Sequence, residues 1–209
     1  MTRSEVQVPR RPPFRRCFFV CYTFFMTIET HADIETLVRN DVFMMDVLRI
    51  ARELDLPDWW VGAGFLRNRV WDAISENETS IDRDIDLVYF DQSNAEPEAD
   101  YDIERKLKKI DPLLSWEVCN QARMHVEDAP YTSSEDAIEH WPETATAIAV
   151  KLGDDDTLEF LFCYGIDDLA GLVARPTPYF SGDKVARFYE RMSQKNWQER
   201  WPNLRVEER

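Results

Sequence analysis

Three aspartates on one short segment are the residues of this chain best suited to chemistry. Residues 82–90 read DRDIDLVYF, and alternate side chains of a strand share a face, so Asp82, Asp84 and Asp86 would lie side by side. Like charges repel there, and aspartate is a poor strand former. A divalent cation reverses the sign of that interaction, and Mg²⁺ favours one or two carboxylates plus phosphate oxygens and water. We therefore predict a Mg²⁺ site, against the alternatives of a solvated edge strand and of Asp82 capping a turn.

A glycine turn precedes this strand. Residues 59–64 read WWVGAG, and the apolar residues after them recur at helical spacing, so Gly62 and Gly64 fall where a strand turns into a helix. Glycine lets backbone N–H groups approach an anion, and a helix N-terminus adds partial positive charge. With Arg67 on the first turns of the helix, the arrangement suits nucleotide phosphates. The alternatives are a turn that only closes a packed strand–helix unit, and a surface arginine.

Apolar periodicity predicts the elements that must position these residues. Residues 33–54 are predicted to be helical, with Asn40 or Asp41 capping a second helix inside that range. Residues 102–110 are predicted as a helix with Ile103, Leu107 and Ile110 inside. The other predicted elements are a strand over 115–126, a hairpin of 147–152 with 158–163, a helix over 165–173 and a closing helix over 183–201.

The glycine turn and the aspartate strand together resemble a known signature. GAGFLRN at residues 62–68, followed by DID at 84–86, looks like the motif of the DNA polymerase beta superfamily of nucleotidyltransferases, in which a Gly-Gly or Gly-Ser turn precedes a DxD strand. Ala63 departs from that pattern but is small enough to keep the turn. More closely, residues 116–125, 141–147, 165–169 and 175–176 resemble a bacterial family of uncharacterised predicted nucleotidyltransferases. That likeness runs from about Met26 to the C-terminus.

The resemblance implies an α/β (α+β) nucleotidyltransferase fold, in which helices flank a mixed, mostly antiparallel sheet. It implies a nucleoside triphosphate as substrate and a site for two Mg²⁺ ions, to which Asp84 and Asp86 contribute. The residues that it assigns to the nucleotide are Gly62, Ala63, Gly64, Arg67 and Asn68. It names no acceptor.

In this superfamily a third carboxylate on a neighbouring strand completes the metal site. Glu117 is the candidate, as a metal ligand or as the general base for the acceptor hydroxyl, and Glu159 is its rival. On the strand predicted over 115–126, polar residues share the face of Glu117, and a polar face needs an explanation if the sheet is covered. Arg123 and His125 on that face are candidates for substrate contact, with a plain exposed strand face as the alternative.

The charge of the chain bears on its partners. The 209 residues carry 25 Lys and Arg against 40 Asp and Glu, a net charge of −15. Residues 1–25 hold five arginines and one glutamate, so the remainder is more acidic still. Because phosphate neutralisation needs clustered Lys and Arg, this balance disfavours non-specific binding to nucleic acid or to an anionic membrane. We expect a small-molecule or protein acceptor rather than a polynucleotide, and no membrane partner.

The N-terminus and the cysteines bear on boundaries and location. Residues 1–25 combine Pro and Arg with a short apolar run, and we expect them to be an extension outside the fold, with Met26 as the functional start and residues 26–209 as a single domain. The four cysteines include no CxxC pair or zinc-type spacing, so we expect reduced thiols and a cytoplasmic location.

These observations favour one function over two rivals. The expected reaction is in-line attack of an acceptor hydroxyl or phosphate on the α-phosphate of a nucleoside triphosphate, with release of pyrophosphate. The first rival is a nucleotide- or metal-binding regulatory module without chemistry. The second is a toxin-type enzyme that modifies a protein. The sequence indicates no oligomeric state.

Overall fold

The computed structural model describes residues 27–78, 84–126 and 129–207. The extension expected at 1–25, together with Cys17 and Cys21, lies outside the described residues, and so does Asp82. The strands are β1 (Trp60–Gly62), β2 (Asp84–Tyr89), β3 (Ser115–Asn120), β4 (His125–Val126), β5 (Ala129–Pro130), β6 (Ile148–Leu152), β7 (Leu158–Phe162), β8 (Val173–Ala174) and β9 (Arg205–Val206). The α-helices are α1 (His31–Asn40), α2 (Val42–Arg52), α3 (Gly64–Ile74), α4 (Pro97–Ile110), α5 (Ser134–Glu139), α6 (Asp167–Ala170), α7 (Val185–Lys195) and α8 (Trp197–Arg200).

Five strands form the central sheet, in the order β3-β2-β1-β6-β7. The pairs β1–β2, β1–β6 and β6–β7 are antiparallel, and only β2–β3 is parallel. Helix α4 lies between β2 and β3 in the chain and packs on β3, as a crossover connection between parallel strands requires. The expected mixed, mostly antiparallel sheet with flanking helices is confirmed.

The main core lies on the sheet face covered by α3. Ile85, Leu87 and Tyr89 of β2 are 0–2% exposed and belong to this core, as period-two alternation predicts. Apolar residues of α1, α2 and α3 share the same cluster. The opposite face carries a smaller cluster that includes Trp60, Val88 and Ile138, so this face is only partly covered.

The strand predicted over 115–126 ends early, at Asn120. The Asn120 side chain accepts hydrogen bonds from the backbone N–H groups of Asp91 and Ala122, and it donates to the carbonyl of Asp91. A side chain that satisfies the backbone in this way competes with the sheet ladder. The chain therefore turns into a short 3₁₀ helix at Gln121–Arg123, and the alternation expected beyond residue 120 is wrong.

Three helix predictions also need correction. The helix predicted over 102–110 begins at Pro97, and Ile110 is 56% exposed rather than inside. The helix predicted over 165–173 covers only α6, because Leu172 turns to a positive φ of 52°. The predicted closing helix is divided into α7 and α8 by Asn196, which has the left-handed conformation.

Other local predictions hold. Asp41 caps α2 by accepting a hydrogen bond from the N–H of Met44, so residues 33–54 contain the two helices expected. The hairpin of β6 and β7 forms as predicted. In the part of the chain that the structure describes, no helix combines the length and apolar character needed to cross a bilayer.

Candidate active site

The register of three neighbouring strands brings the predicted acidic residues together. Gly62 of β1 lies opposite Asp86 of β2, and Asp86 lies beside Glu117 of β3. Asp84 is paired in the same way with Ser115. Because paired residues of adjacent strands point to the same face, Asp84, Asp86 and Glu117 project from one side of the sheet, next to the glycine turn.

The three carboxylates differ in their surroundings. Asp84 and Glu117 are exposed, whereas Asp86 is partly buried between them. Burial raises the pKa of Asp86 to about 6, and the negative charge of Glu117 acts in the same direction. Arg67 and then Lys195 oppose this rise in pKa through their positive charges, and Asp84 adds to it. A carboxylate in this setting gains from any cation that binds between it and its acidic neighbours.

The donor set suits Mg²⁺ when the ion brings ligands of its own. Among residues 27–78, 84–126 and 129–207, no three His, Cys, Asp or Glu side chains are already gathered into a metal cluster. Mg²⁺ does not require such a cage, since it is usually held by one or two carboxylates with substrate phosphates and water. Asp84 and Asp86 supply two carboxylates on one strand face, and burial followed by the negative charge of Glu117 raises the pKa of Asp86.

The glycine turn has an unusual backbone at Ala63. Ala63 adopts φ 52° and ψ −123°, a conformation that costs a non-glycine residue on the order of 1–3 kcal/mol. Its N–H donates to the carbonyl of Ile148 at 3.1 Å, and its carbonyl accepts from the N–H of Arg67 at 3.0 Å. Alanine has no side-chain acceptor to cap α3, so the turn leads into a helix start whose N–H groups suit an anion.

Gly62 also has a packing role. A Cβ on Gly62 would lie 2.6 Å from the Trp141 ring and 3.1 Å from the carbonyl oxygen of Ile148. The turn therefore closes a packed unit, as one alternative held, and it also lies beside Asp86. Because Gly62 is paired with Asp86, Trp141 packs on the face of the sheet that carries this carboxylate.

Substituting alanine for Gly62 is expected to lower the free energy of unfolding by about 2 kcal/mol, because the added methyl group overpacks a rigid ring and a strand carbonyl. Urea unfolding measures the change. Gly64→Ala is the control, since its Cβ would lie 3.3 Å from Asn68 Nδ2 and 3.6 Å from Arg67 Nη2, a milder contact than that at Gly62, and alanine favours the helix that begins there. Equal stability of the Gly62 variant and the native protein would contradict the prediction.

Arg67 and Asn68 form a buried polar pair at the start of α3. Arg67 is 5% exposed and Asn68 9%. Arg67 Nη1 donates to Thr146 Oγ1 at 2.7 Å, and Nη2 donates to Asn68 Oδ1 at 2.8 Å. The guanidinium also lies over the ring of Trp197, 4.1 Å from its centroid. Arg67 is thus an internal cation whose charge reaches Asp86, rather than an arginine on the helix surface.

The structure separates the two candidates for the third carboxylate. Glu117 lies on β3, beside Asp86. Glu159 lies on β7, which β1 and β6 separate from β2, and it pairs with Lys151 at 3.1 Å. Glu117 alone of the two shares a strand pair with the aspartates.

Arg123 and His125 lie beyond the end of β3. Arg123 forms an ion pair with Asp100, which is 2% exposed. The positive charge of Arg123 is therefore paired within the protein. His125 lies in β4, which pairs with β5 away from the central sheet. Neither residue therefore lies on the strand face of β3 that carries Glu117, contrary to the prediction from the sequence.

The C-terminal helices add residues that sequence reasoning missed. Lys195 ends α7 and affects the pKa of Asp86, and Trp197 contacts Arg67. On the same helix, Arg191 pairs with the fully buried Glu143 at 2.6 Å. Glu143 lies in the segment at 141–147 that entered the family resemblance, which could have marked it. Lys195 has no local sequence signal, because only the fold brings the end of α7 and the following Trp197 to Arg67.

Comparisons with known proteins agree with this geometry. A family model described as nucleotidyltransferase matches residues 49–206. An NMR structure described as revealing a CCA-adding enzyme head domain is 35% identical, with a TM-score of 0.78 and coverage of 89% of this chain and 100% of that one. No curated protein matches the chain.

Two larger structures share the fold. A CCA-adding enzyme in complex with ATP is 21% identical, with a TM-score of 0.54, and the match covers 83% of this chain and 43% of that one. The Thermotoga maritima CCA-adding enzyme complexed with tRNA is 18% identical, with a TM-score of 0.53 and coverage of 83% and 42%. The chain thus spans less than half the length of these enzymes. Because the family model covers most of the chain and a 35% identical structure matches along 89% of it, the chain belongs to the nucleotidyltransferase family, within the DNA polymerase beta-like superfamily.

Proposed function

We propose that the protein is a Mg²⁺-dependent enzyme that moves a nucleoside monophosphate from a nucleoside triphosphate to an acceptor hydroxyl or phosphate. The observation that carries the proposal is the register Gly62–Asp86–Glu117, which puts a helix start suited to phosphate beside a strand pair rich in carboxylates. Family membership supports nucleotidyl transfer in general. The acceptor and the metal are parts of the proposal.

In the proposed reaction the acceptor oxygen attacks the α-phosphorus in line. A new P–O bond forms as the bond from the α-phosphorus to the bridging oxygen of pyrophosphate breaks, and pyrophosphate leaves with that electron pair. Mg²⁺ bound by Asp84 and Asp86 would supply positive charge to the attacking and leaving oxygens. No covalent enzyme intermediate is needed, since positioning and charge provide the rate enhancement.

The side chains divide the remaining tasks. Glu117 is exposed beside Asp86 and is proposed as a metal ligand or as the base that takes the proton of an acceptor hydroxyl. The turn at Gly62, Ala63 and Gly64 presents the start of α3 to the phosphates. Arg67, oriented by Asn68 and Thr146, adds buried positive charge without leaving the protein interior.

The acceptor is proposed to be a small molecule or a protein. A net charge of −15 opposes contact with a polyanion. A tRNA acceptor is the second candidate, because one structure with this fold is a CCA-adding enzyme complexed with tRNA. The expectation that a nucleic-acid acceptor is unlikely therefore gains no support from the comparisons. A cytoplasmic location belongs to the proposal, because Cys119 and Cys163 are free thiols.

The test is incubation of the protein with α-labelled ATP, CTP, GTP or UTP, Mg²⁺, and either a metabolite extract, a protein extract or deacylated tRNA. Label transfer and pyrophosphate release are expected in one of these mixtures and absent from the Asp84→Ala, Asp86→Ala double variant. Nucleotide binding by calorimetry without pyrophosphate release would favour the regulatory module instead. Toxicity on overexpression that is lost in Asp84→Ala would favour the toxin-type enzyme.

A further inference from the structure

The resemblance assigns Arg67 to the triphosphate, but in the structure its side chain is already hydrogen-bonded inside the protein. Arg67 uses Nη1 for Thr146, at 2.7 Å, and both Nε and Nη2 for Asn68, at 3.2 and 2.8 Å. Its guanidinium lies 4.1 Å from the ring centroid of Trp197, and the residue as a whole is 5% exposed. Moving it onto a phosphate would break buried hydrogen bonds, each of which is costly to leave unmade. A second, movable cation would serve the outer phosphates better.

Lys195 has the properties that Arg67 lacks. It is exposed at the end of α7, and its side chain forms no hydrogen bond or ion pair with any residue in the described ranges. Trp197, two residues further on, covers Arg67, whose Nη2 would lie 3.6 Å from a Cβ on Gly64, so the end of α7 lies beside the glycine turn. The positive charge of Lys195 also lowers the pKa of Asp86. A lysine of this kind is a compact charge on a flexible stem, as phosphate binding requires.

The backbone around Lys195 is held from both sides. One turn before it, Arg191 Nε donates to Glu143 Oε1 at 2.6 Å, and Glu143 is completely buried. Two residues after it, Trp197 packs under Arg67 and against Trp71, with ring centroids 5.4 Å apart. These contacts fix where the side chain starts while leaving its four-carbon stem to move.

We infer that Lys195 binds the β- and γ-phosphates of the nucleoside triphosphate, while Arg67 acts from the interior. This inference rests on the proposed function and assigns that site a residue from the far end of the chain. In the absence of nucleotide, the ammonium partly offsets the acidic cluster around Asp86. When the triphosphate binds, its greater negative charge attracts the ammonium, which then helps pyrophosphate to leave.

A lysine at the end of a helix can also have a purely structural role. Cations are favoured near helix C-termini by the macrodipole, with an effect of about 0.3–1 kcal/mol on stability. That role predicts no difference between nucleotides with and without outer phosphates. The two explanations therefore separate in binding experiments that compare ATP with AMP.

The experiment is calorimetric titration of the native protein, Lys195→Ala, Lys195→Arg and Lys106→Ala with the nucleoside triphosphate that binds tightest, and with its monophosphate, in Mg²⁺. We expect Lys195→Ala to weaken triphosphate binding roughly 10- to 100-fold and monophosphate binding less than about threefold, since it removes one charge-assisted phosphate contact. Lys195→Arg should stay within about threefold of the native protein. Lys106→Ala removes the same charge from the exposed side of α4 and should change neither affinity.

The results of this titration can contradict the role of Lys195 without contradicting the proposed nucleotidyl transfer. If the native protein binds a triphosphate and Lys195→Ala binds it equally well, or loses triphosphate and monophosphate affinity alike, the inference is overturned and the proposed function stands. If the native protein binds none of the four triphosphates, the proposed function fails and takes the inference with it.

Discussion

The Asp86→Asn variant is expected to lose nucleotidyl transfer by at least about a thousandfold and yet to fold more stably than the native protein above pH 6. The loss follows from the proposed metal ligation, because an amide cannot replace an ionised ligand that neutralises Mg²⁺. The gain in stability follows from the burial of Asp86 beside Glu117. Burial and the neighbouring charge of Glu117 raise the pKa of Asp86 from 3.8 to about 6.

The direction of the pH dependence follows from proton binding. Between about pH 4 and pH 6 the folded protein holds a proton on Asp86 that the unfolded chain has released, so stability falls as the pH rises through this range. Above pH 6 the full cost of the ionised carboxylate is present. The pKa difference corresponds to about 3 kcal/mol, and solvent access to the site reduces the expected gain in Asp86→Asn to about 2 kcal/mol.

Urea unfolding in EDTA at pH 5 and pH 8 measures this effect, with pyrophosphate release as the activity assay. The stability difference between variant and native protein should be larger at pH 8. Asp84→Asn is the matched control, because Asp84 is exposed on the same strand and its stability change should stay within about 0.5 kcal/mol. Adding Mg²⁺ at pH 8 should stabilise the native protein more than Asp86→Asn. A variant less stable than the native protein at pH 8 would refute the electrostatic account.

Replacing Arg191 by alanine is expected to lower the free energy of unfolding by about 3 kcal/mol and to weaken triphosphate binding. Glu143 is completely buried, its Oε1 accepts from Arg191, and its Oε2 has no hydrogen-bond partner in the structure. Removing the arginine leaves an uncompensated charge in the interior, which typically costs 3–5 kcal/mol. Because Arg191 is partly exposed, we expect a loss of stability at the lower end of this range. Because Arg191 also anchors α7, the position of Lys195 loosens with it.

A double-mutant cycle tests the origin of this loss. Glu143→Gln combined with Arg191→Ala should recover much of the stability, since the stranded charge is gone. Arg187→Ala is the control on the same helix, where the side chain is exposed and a change within about 0.5 kcal/mol is expected. An Arg191→Ala protein of native stability would show that the ion pair does not hold α7 in place.

The sequence correctly predicted those parts of the site that depend on the alternation within one strand and on the residues of one turn. Period-two alternation predicted which face of β2 carries Asp84 and Asp86, and two glycines predicted the strand-to-helix turn. Glu117 came from family resemblance, because no local rule fixes the parallel register that pairs it with Asp86. The close approach of Trp141 to Gly62 and the position of Lys195 depend on contacts between distant segments, which no window of sequence contains.

The errors in the fold have a common cause as well. Beyond Asn120 the residues keep an alternating pattern, but one side-chain amide captures the backbone groups that a longer strand would need. At Leu172 and Asn196 the backbone takes positive φ values although neither residue is glycine. Periodicity describes side chains, so it misses ends that are set by the backbone and its capping groups.

The contact between Arg67 and Trp197 has a consequence for synthesis. A ribosome adds on the order of 5–20 residues per second, and N-terminal parts of a chain begin to fold first. The five strands of the central sheet are all made before α7 emerges, so a growing chain can build the acidic face while the segment that reaches Arg67 is still missing. Until that segment arrives, Arg67 contacts Trp71 of its own helix but lacks the closer ring of Trp197. The nascent protein also lacks Lys195, which is proposed to bind the triphosphate.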